Sequence, residues 1–249
     1  MINITPVVKQ LLIINVIFFI GSQIVANGAA YDYLSLYFFE NPKFEFWQPI
    51  THMFMHGGIM HIAFNMFALY SFGSNLEYIW GGKKFLFFYI SCGLGAAALH
   101  SGVNYLEFNH YYDILINGGL SKSEIYAFLN SGTVSYNTQL IEKSDLQGIM
   151  SAFITPAVGA SGAVYGLLVA FAFMFPNAEL MMMFIPVPIK AKYFVPGILA
   201  VDLFLGVTGK SIFGGGSGIA HFAHIGGAII GFAMMWYWKK NQFNDRRWN

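Results

Sequence analysis

Apolar residues along this chain gather into six long runs, near 10–28, 59–79, 84–103, 160–176, 193–208 and 219–238. A bilayer crossing takes about 20 such residues, so each run predicts a transmembrane helix, the fourth and fifth being short. Two connections are long. Residues 29–58 begin "AAYDYLSLYFFENPKFEFWQPI" and read as an outer segment lying in the membrane interface, with Trp47 and several Tyr and Phe at headgroup level. Residues 104–150 carry Glu107, Asp113, Glu124, Glu142 and Asp145 and predict a solvated outer loop with one or two short helices. No internal repeat divides the chain, and residues 1–249 are read as one domain. The first run follows a single lysine and precedes no clear cleavage site, so it is expected to remain as an anchor.

Composition agrees with the pattern. Of 249 residues, 56% are hydrophobic and 10% charged, where a soluble domain carries about a quarter charged residues. The expected fold class is therefore an all-α membrane protein. A net charge of +1 gives no case for nucleic acid, and one cysteine, Cys92, excludes an internal disulfide or a Cys-rich zinc site. Basic residues set the direction, because they stay on the cytoplasmic side. With both termini inside, that side holds nine of the 13, namely Lys9, Lys83, Lys84, Lys190, Lys192, Lys239, Lys240, Arg246 and Arg247. The other side holds Lys43, Lys122, Lys143 and Lys210.

Against this background a few polar residues stand out, since polar groups at membrane depth mark function unless they face a partner. The second run opens with His61 and Asn65 on one helix face, and the sixth with His221 and His224 one turn apart. The fourth opens "GASGAVYG", residues 159–166, around Ser161. Each has an ordinary structural reading. A serine can bond back to its own helix, and a histidine can bridge two helices. Depth argues for more. Runs two, four and six all start from the outer side, and His61, Ser161 and His224 lie in their first turns, so the three share one level. A hydroxyl, an imidazole and further donors at one level suit acyl transfer. Gly162 and Gly166, with Gly227 and Gly231, form small-xxx-small faces that let the fourth and sixth helices approach. Tyr165 lies one turn after the serine.

In these residues the chain resembles the rhomboid intramembrane serine proteases over the whole six-helix core. The family's Gly-x-Ser-Gly is matched by Gly159, Ala160, Ser161 and Gly162. Its Ala-His-x-x-Gly-x-x-x-Gly is matched by Ala223, His224, Gly227 and Gly231. His61 and Asn65 match its His-x-x-x-Asn pair, preceded by His52 and His56, while Gly73 and Glu77 match its Gly-x-x-x-Glu stretch. The resemblance implies a six-transmembrane rhomboid-type bundle and a Ser161–His224 dyad. It also implies Tyr165 stacked on the base, oxyanion support from His61, Asn65 and the Gly159 turn, and Glu77 as a structural anchor. It further implies substrates that are transmembrane proteins, admitted from the lipid between spans two and five, and a bacterial inner-membrane setting. No cofactor, metal or nucleic-acid partner is expected, and oligomeric state is left open. Two departures are visible. The family's aromatic–arginine pair reads Trp47-Gln48, and the connection before span four is long. The alternatives are weaker. "HGGIMH" lacks the glutamate of a zinc protease, an aspartyl protease needs two membrane aspartates, and no repeat suggests a transporter. An inactive rhomboid-like protein that binds transmembrane clients is the second reading. Asp202 is assigned to helix packing or a water-facing position, outside the chemistry. The Gly-rich residues 209–220 are expected to form a flexible outer cap.

Overall fold

The computed structural model describes residues 4–24, 28–182, 185–209 and 218–241. Its main helices follow the six runs, with shifted ends. The first, α1 (Pro6–Ile24), starts four residues earlier than its apolar run. Proline at its first position leaves no amide unpaired there, and Glu77 from the second run meets the amides that follow. Glu77 Oε1 accepts the Val7 N–H at 2.9 Å, Oε2 accepts the Val8 N–H at 2.8 Å, and Oε2 also accepts the Thr5 hydroxyl at 2.5 Å. A buried carboxylate thus caps a helix N-terminus that arrives from 70 residues away.

After a short α2 (Ala29–Leu34) and α3 (Gln48–Thr51), the second run is helical from 59 to 80, but not uniformly. It comprises α4 (Ile59–Ala68), a π-helical turn at Leu69–Gly73 and α5 (Ser74–Trp80). The third run is exceeded. Its helix α6 (Gly82–Asn117) has 36 residues, about 54 Å, against a hydrocarbon core of about 30 Å. Its last part therefore belongs to what the sequence reading treats as a solvated loop.

That loop is a packed unit. Of the one or two short helices expected there are two, α7 (Lys122–Ser131) and α8 (Lys143–Ile154), and they enclose a core of Phe108, Leu115, Ile125, Phe128, Ile141 and Ile149. Ser121 and Glu124 form a capping box at the start of α7, as do Glu142 and Asp145 at α8, so three of the five charges that suggested solvent cap helices, while Glu107 and Asp113 lie within α6. Phe38 from the first outer segment completes the core. The two outer segments are then tied by paired bonds between Leu36 and Ala157, by Asn41 Nδ2 to the Phe153 carbonyl at 2.7 Å, and by Tyr126 to Glu40. Burial and the neighbouring carboxylate push the Tyr126 hydroxyl up to about 12, so the phenol remains the donor.

The remaining helices are α9 (Ser161–Met174), α10 (Ala191–Thr208) and α11 (Ile219–Asn241). Between α9 and α10 an unforeseen hairpin pairs β1 (Glu179–Met182) with β2 (Ile185–Lys190), antiparallel. By length and composition α1, α6 and α10 could each cross a membrane, and α9 is apolar but shorter. Large apolar side chains such as Ile17, Phe67, Phe87, Phe204 and Phe232 point outward, as expected where lipid replaces water. At one end of the bundle Lys84, early in α6, lies 4.1 Å over the ring of Trp238, late in α11, so these two helices run antiparallel. Most of the expected outer cap, 210–217, lies outside the described residues, as do Arg246 and Arg247.

Removing the Glu77 carboxylate strands the buried Val8 amide and the partly buried Val7 amide, at a cost of about 1–3 kcal/mol for a fully buried unmet group. Glu77→Ala is expected to lower the thermal midpoint in detergent by several degrees. Unchanged melting would show that α1 docks without this cap.

Candidate active site

The close approach of α9 and α11 comes first, because it leaves no room for side chains. A Cβ on Gly227 would fall inside the Gly162 carbonyl, one on Gly231 would lie 2.8 Å from Gly166 Cα, and one on Gly166 would lie 3.1 Å from the Gly227 carbonyl oxygen. All four glycines named from sequence meet at one seam. A second seam was not foreseen. A Cβ on Gly226 would lie 2.5 Å from the Gly95 carbonyl, so α11 sits against the backbones of α6 and α9 at once.

This packing brings the starts of α9 and α11 together. The Ser161 hydroxyl lies 3.0 Å from His224 Nε2. Tyr165, one turn along α9, stacks on the imidazole with centroids 4.2 Å apart and planes 9° apart. On the far side of the ring Nδ1 lies 3.1 Å from Asp202 Oδ1. An ionised carboxylate only accepts, so Nδ1 carries the proton and Nε2 is left to accept from the serine. Asp202 thus departs from its expected place. It does link α10 to α11, but through the imidazole itself, and His221 Nδ1 donates to the same oxygen at 2.5 Å. The signal was present in the sequence as one aspartate at the depth of His224. Spacing alone did not reveal that its rotamer turns inward.

Gly159 lies on the other side of the serine with φ +122°, and a Cβ there would lie 2.7 Å from His61 Nε2 and 3.5 Å from Ser161 Oγ. Only glycine fits the backbone and the gap. His61 Nδ1 accepts the Gly57 N–H at 3.3 Å, which puts its proton on Nε2, the nitrogen facing Gly159. Asn65 is buried on the same helix face, but one amide N–H is turned back to the His61 carbonyl at 3.0 Å. Its second N–H is the one left for other use. The Ser161 N–H, first in α9, has no acceptor within its helix.

The sequence matches His52 and His56 of the first outer segment to the family pattern, and the structure shows how that segment supports the site. Gln48 is fully buried, accepting the Tyr37 N–H at 3.1 Å and donating to the Lys43 carbonyl at 2.7 Å. Its own carbonyl lies 3.0 Å from His52 Nδ1, and the His52 carbonyl accepts the Gly159 N–H at 2.9 Å. Glutamine thus serves as a neutral two-way connector that leads to the turn before the serine. Burial lowers both His52 and His56 to about 4, with neighbouring imidazoles adding to the effect. Both are neutral at ordinary pH, and His56 packs edge-on to His61 at 5.1 Å between centroids.

A helical membrane bundle with a serine and a histidine in contact near one face defines a class, and comparison with known proteins names it. The rhomboid domain profile matches residues 43–241, and the chain belongs to the rhomboid family. It is 28% identical over 197 residues to rhomboid protease AarA of Providencia stuartii, covering 75% of this chain and 54% of that protein. Mitochondrial rhomboid protein 1 of Saccharomyces cerevisiae is 25% identical over 191 residues, with 77% and 41% covered. The mitochondrial presenilin-associated rhomboid-like protein of Mus musculus is 26% identical over 185 residues, with 74% and 35% covered. The chain spans about half or less of the length of these relatives.

Gly227→Ala adds one methyl group where the Gly162 carbonyl already stands. It is expected to reduce any Ser161-dependent activity at least tenfold by parting α9 from α11, while helical content persists. Wild-type turnover in this variant would show that the seam tolerates separation.

Proposed function

We propose that this chain is an intramembrane serine endopeptidase that cleaves peptide bonds in or near transmembrane segments of membrane-protein substrates. The observation that carries the reading is the Ser161 Oγ to His224 Nε2 contact of 3.0 Å, with the proton on the opposite nitrogen. His224 accepts the Ser161 proton as the hydroxyl attacks the scissile carbonyl, then returns it to the leaving amine. The acyl-enzyme is released by water. His61 Nε2–H, the Ser161 N–H and the remaining Asn65 N–H are assigned to the developing oxyanion. Asp202 and Tyr165 hold the imidazole in its tautomer and plane.

In this reading the six helical segments cross the bilayer of a bacterial inner membrane, with both termini cytoplasmic. Substrates approach from the lipid between the second and fifth segments. Length supports the depth of the site. With 14 residues, α9 is about 21 Å long, shorter than the hydrocarbon core of about 30 Å. If its far end reaches the inner interface, Ser161 begins below the outer one. The competing reading is an inactive rhomboid-like protein that binds transmembrane clients, and it has no use for a base aligned on a serine.

The test is turnover of a transmembrane substrate in proteoliposomes. Ser161→Ala is expected to abolish cleavage without loss of folded protein, and full cleavage would end the assignment. Asp202→Asn is expected to lower kcat with KM little changed, toward the ~10⁴-fold loss that a misdirected tautomer causes in soluble serine proteases. Unchanged kcat would reduce Asp202 to a packing role and leave a bare dyad.

A further inference from the structure

Asp202, His221 and His224 converge more tightly than positioning one imidazole requires. Oδ1 of Asp202 meets both histidine Nδ1 atoms, and the three residues each offer one ligand atom within 4.8 Å of the others. Two imidazole nitrogens and a carboxylate oxygen form a donor set suited to zinc. A second observation points the same way. Asp202 is 5% exposed, and its other oxygen, Oδ2, is buried and makes no hydrogen bond of ordinary length among the described residues, although the Tyr165 hydroxyl also interacts with the carboxylate. A carboxylate buried with one oxygen unmet has donor capacity in reserve. The histidine side chains are 13% and 22% exposed, which leaves a fourth position for water.

We propose that Asp202, His221 and His224 form an inhibitory zinc site, in which the metal captures the imidazole that would otherwise serve as base. Zinc at ligand distances of about 2.0–2.2 Å needs Oδ1 to draw back from the two Nδ1 atoms that it now meets at 2.5 and 3.1 Å, so that the metal replaces the two shared protons between them. Zinc takes the Nδ1 lone pair of each neutral imidazole, and the proton formerly on Nδ1 is carried on Nε2. For His224 this reverses the contact with the serine. Nε2 becomes a donor to Ser161 Oγ and has no lone pair for the hydroxyl proton. The carboxylate stays ionised throughout, and no redox change or net proton loss is involved. Metal capture and base function are mutually exclusive because they need opposite tautomers of His224. His221 thereby acquires a role, since it adds nothing to proton transfer but supplies the third ligand. The inhibitory consequence rests on the reading of His224 as base, whereas the binding does not.

The full-length protein in detergent micelles tests both parts. Zinc titrated calorimetrically into the wild type is expected to fill one site per chain. Affinity should fall at least about tenfold in His221→Ala and in Asp202→Asn, in line with the losses that weakened metal shells show. Ser161→Ala should bind as the wild type does, and melting curves without metal confirm that each variant is folded. Cobalt added in place of zinc should give the visible absorption of a tetrahedral site in the wild type and lose it in His221→Ala. Labelling of the wild type by a serine-directed phosphonate should fall along the zinc binding curve and return with a chelator. Equal zinc affinity in folded wild type and His221→Ala would overturn the site. Zinc binding lost with His221 but without effect on labelling would overturn the inhibition. An absence of labelling without zinc would refute the protease reading, and calorimetry would still decide the metal site.

Discussion

Everything at the site depends on the contact of α11 with the backbones of α9 and α6. Side chains as small as a methyl group cannot stand between Gly227 and Gly162 or between Gly226 and Gly95. Helices in lipid gain little from apolar contact alone, so close backbone packing is what holds them. The same closeness brings two first-turn residues, Ser161 and His224, within one hydrogen bond. The helix packing and the serine–histidine contact therefore rest on one seam, and under the proposed function its glycines are structural and functional together.

The second constraint works from outside the bundle. Ser161 opens its helix, so its position depends on the chain that leads into it, and that chain is held on both sides. Residues 36 and 157 exchange backbone bonds, and the His52 carbonyl takes the Gly159 amide. Behind them stand the Gln48 connector and the compact unit of α6, α7 and α8. An outer subdomain of this kind rigidifies the approach to the serine much as a second shell fixes a metal ligand.

Much of this was legible in the sequence, and what was not has physical reasons. Apolar runs located the helices because lipid demands length and composition. The spacing of four glycines and the shared depth of Ser161, His61 and His224 located the seam and the site. The continuation of α6 to Asn117 was missed because its polar residues resemble a loop once the membrane ends, whereas helix propensity and a soluble core carry it on. Asp202 was misplaced because a periodic pattern fixes a face and a depth but not a rotamer, and the carboxylate turns toward two histidines of the neighbouring helix. Gln48 looked like the loss of a cation. Its importance lies in two backbone partners, the Tyr37 amide and the Lys43 carbonyl, that only a folded loop brings within reach.

The account holds that Ser161 is activated, because among the described residues it is the serine that the seam sets against an imidazole with Nε2 left to accept. The direct measurement is mass-spectrometric localisation of the adduct left by a serine-directed phosphonate on the folded wild-type protein. The account predicts one modified residue, Ser161, with the adduct lost when His224 is replaced by alanine. Modification spread over other serines, or an adduct on Ser161 that persists without His224, would contradict it.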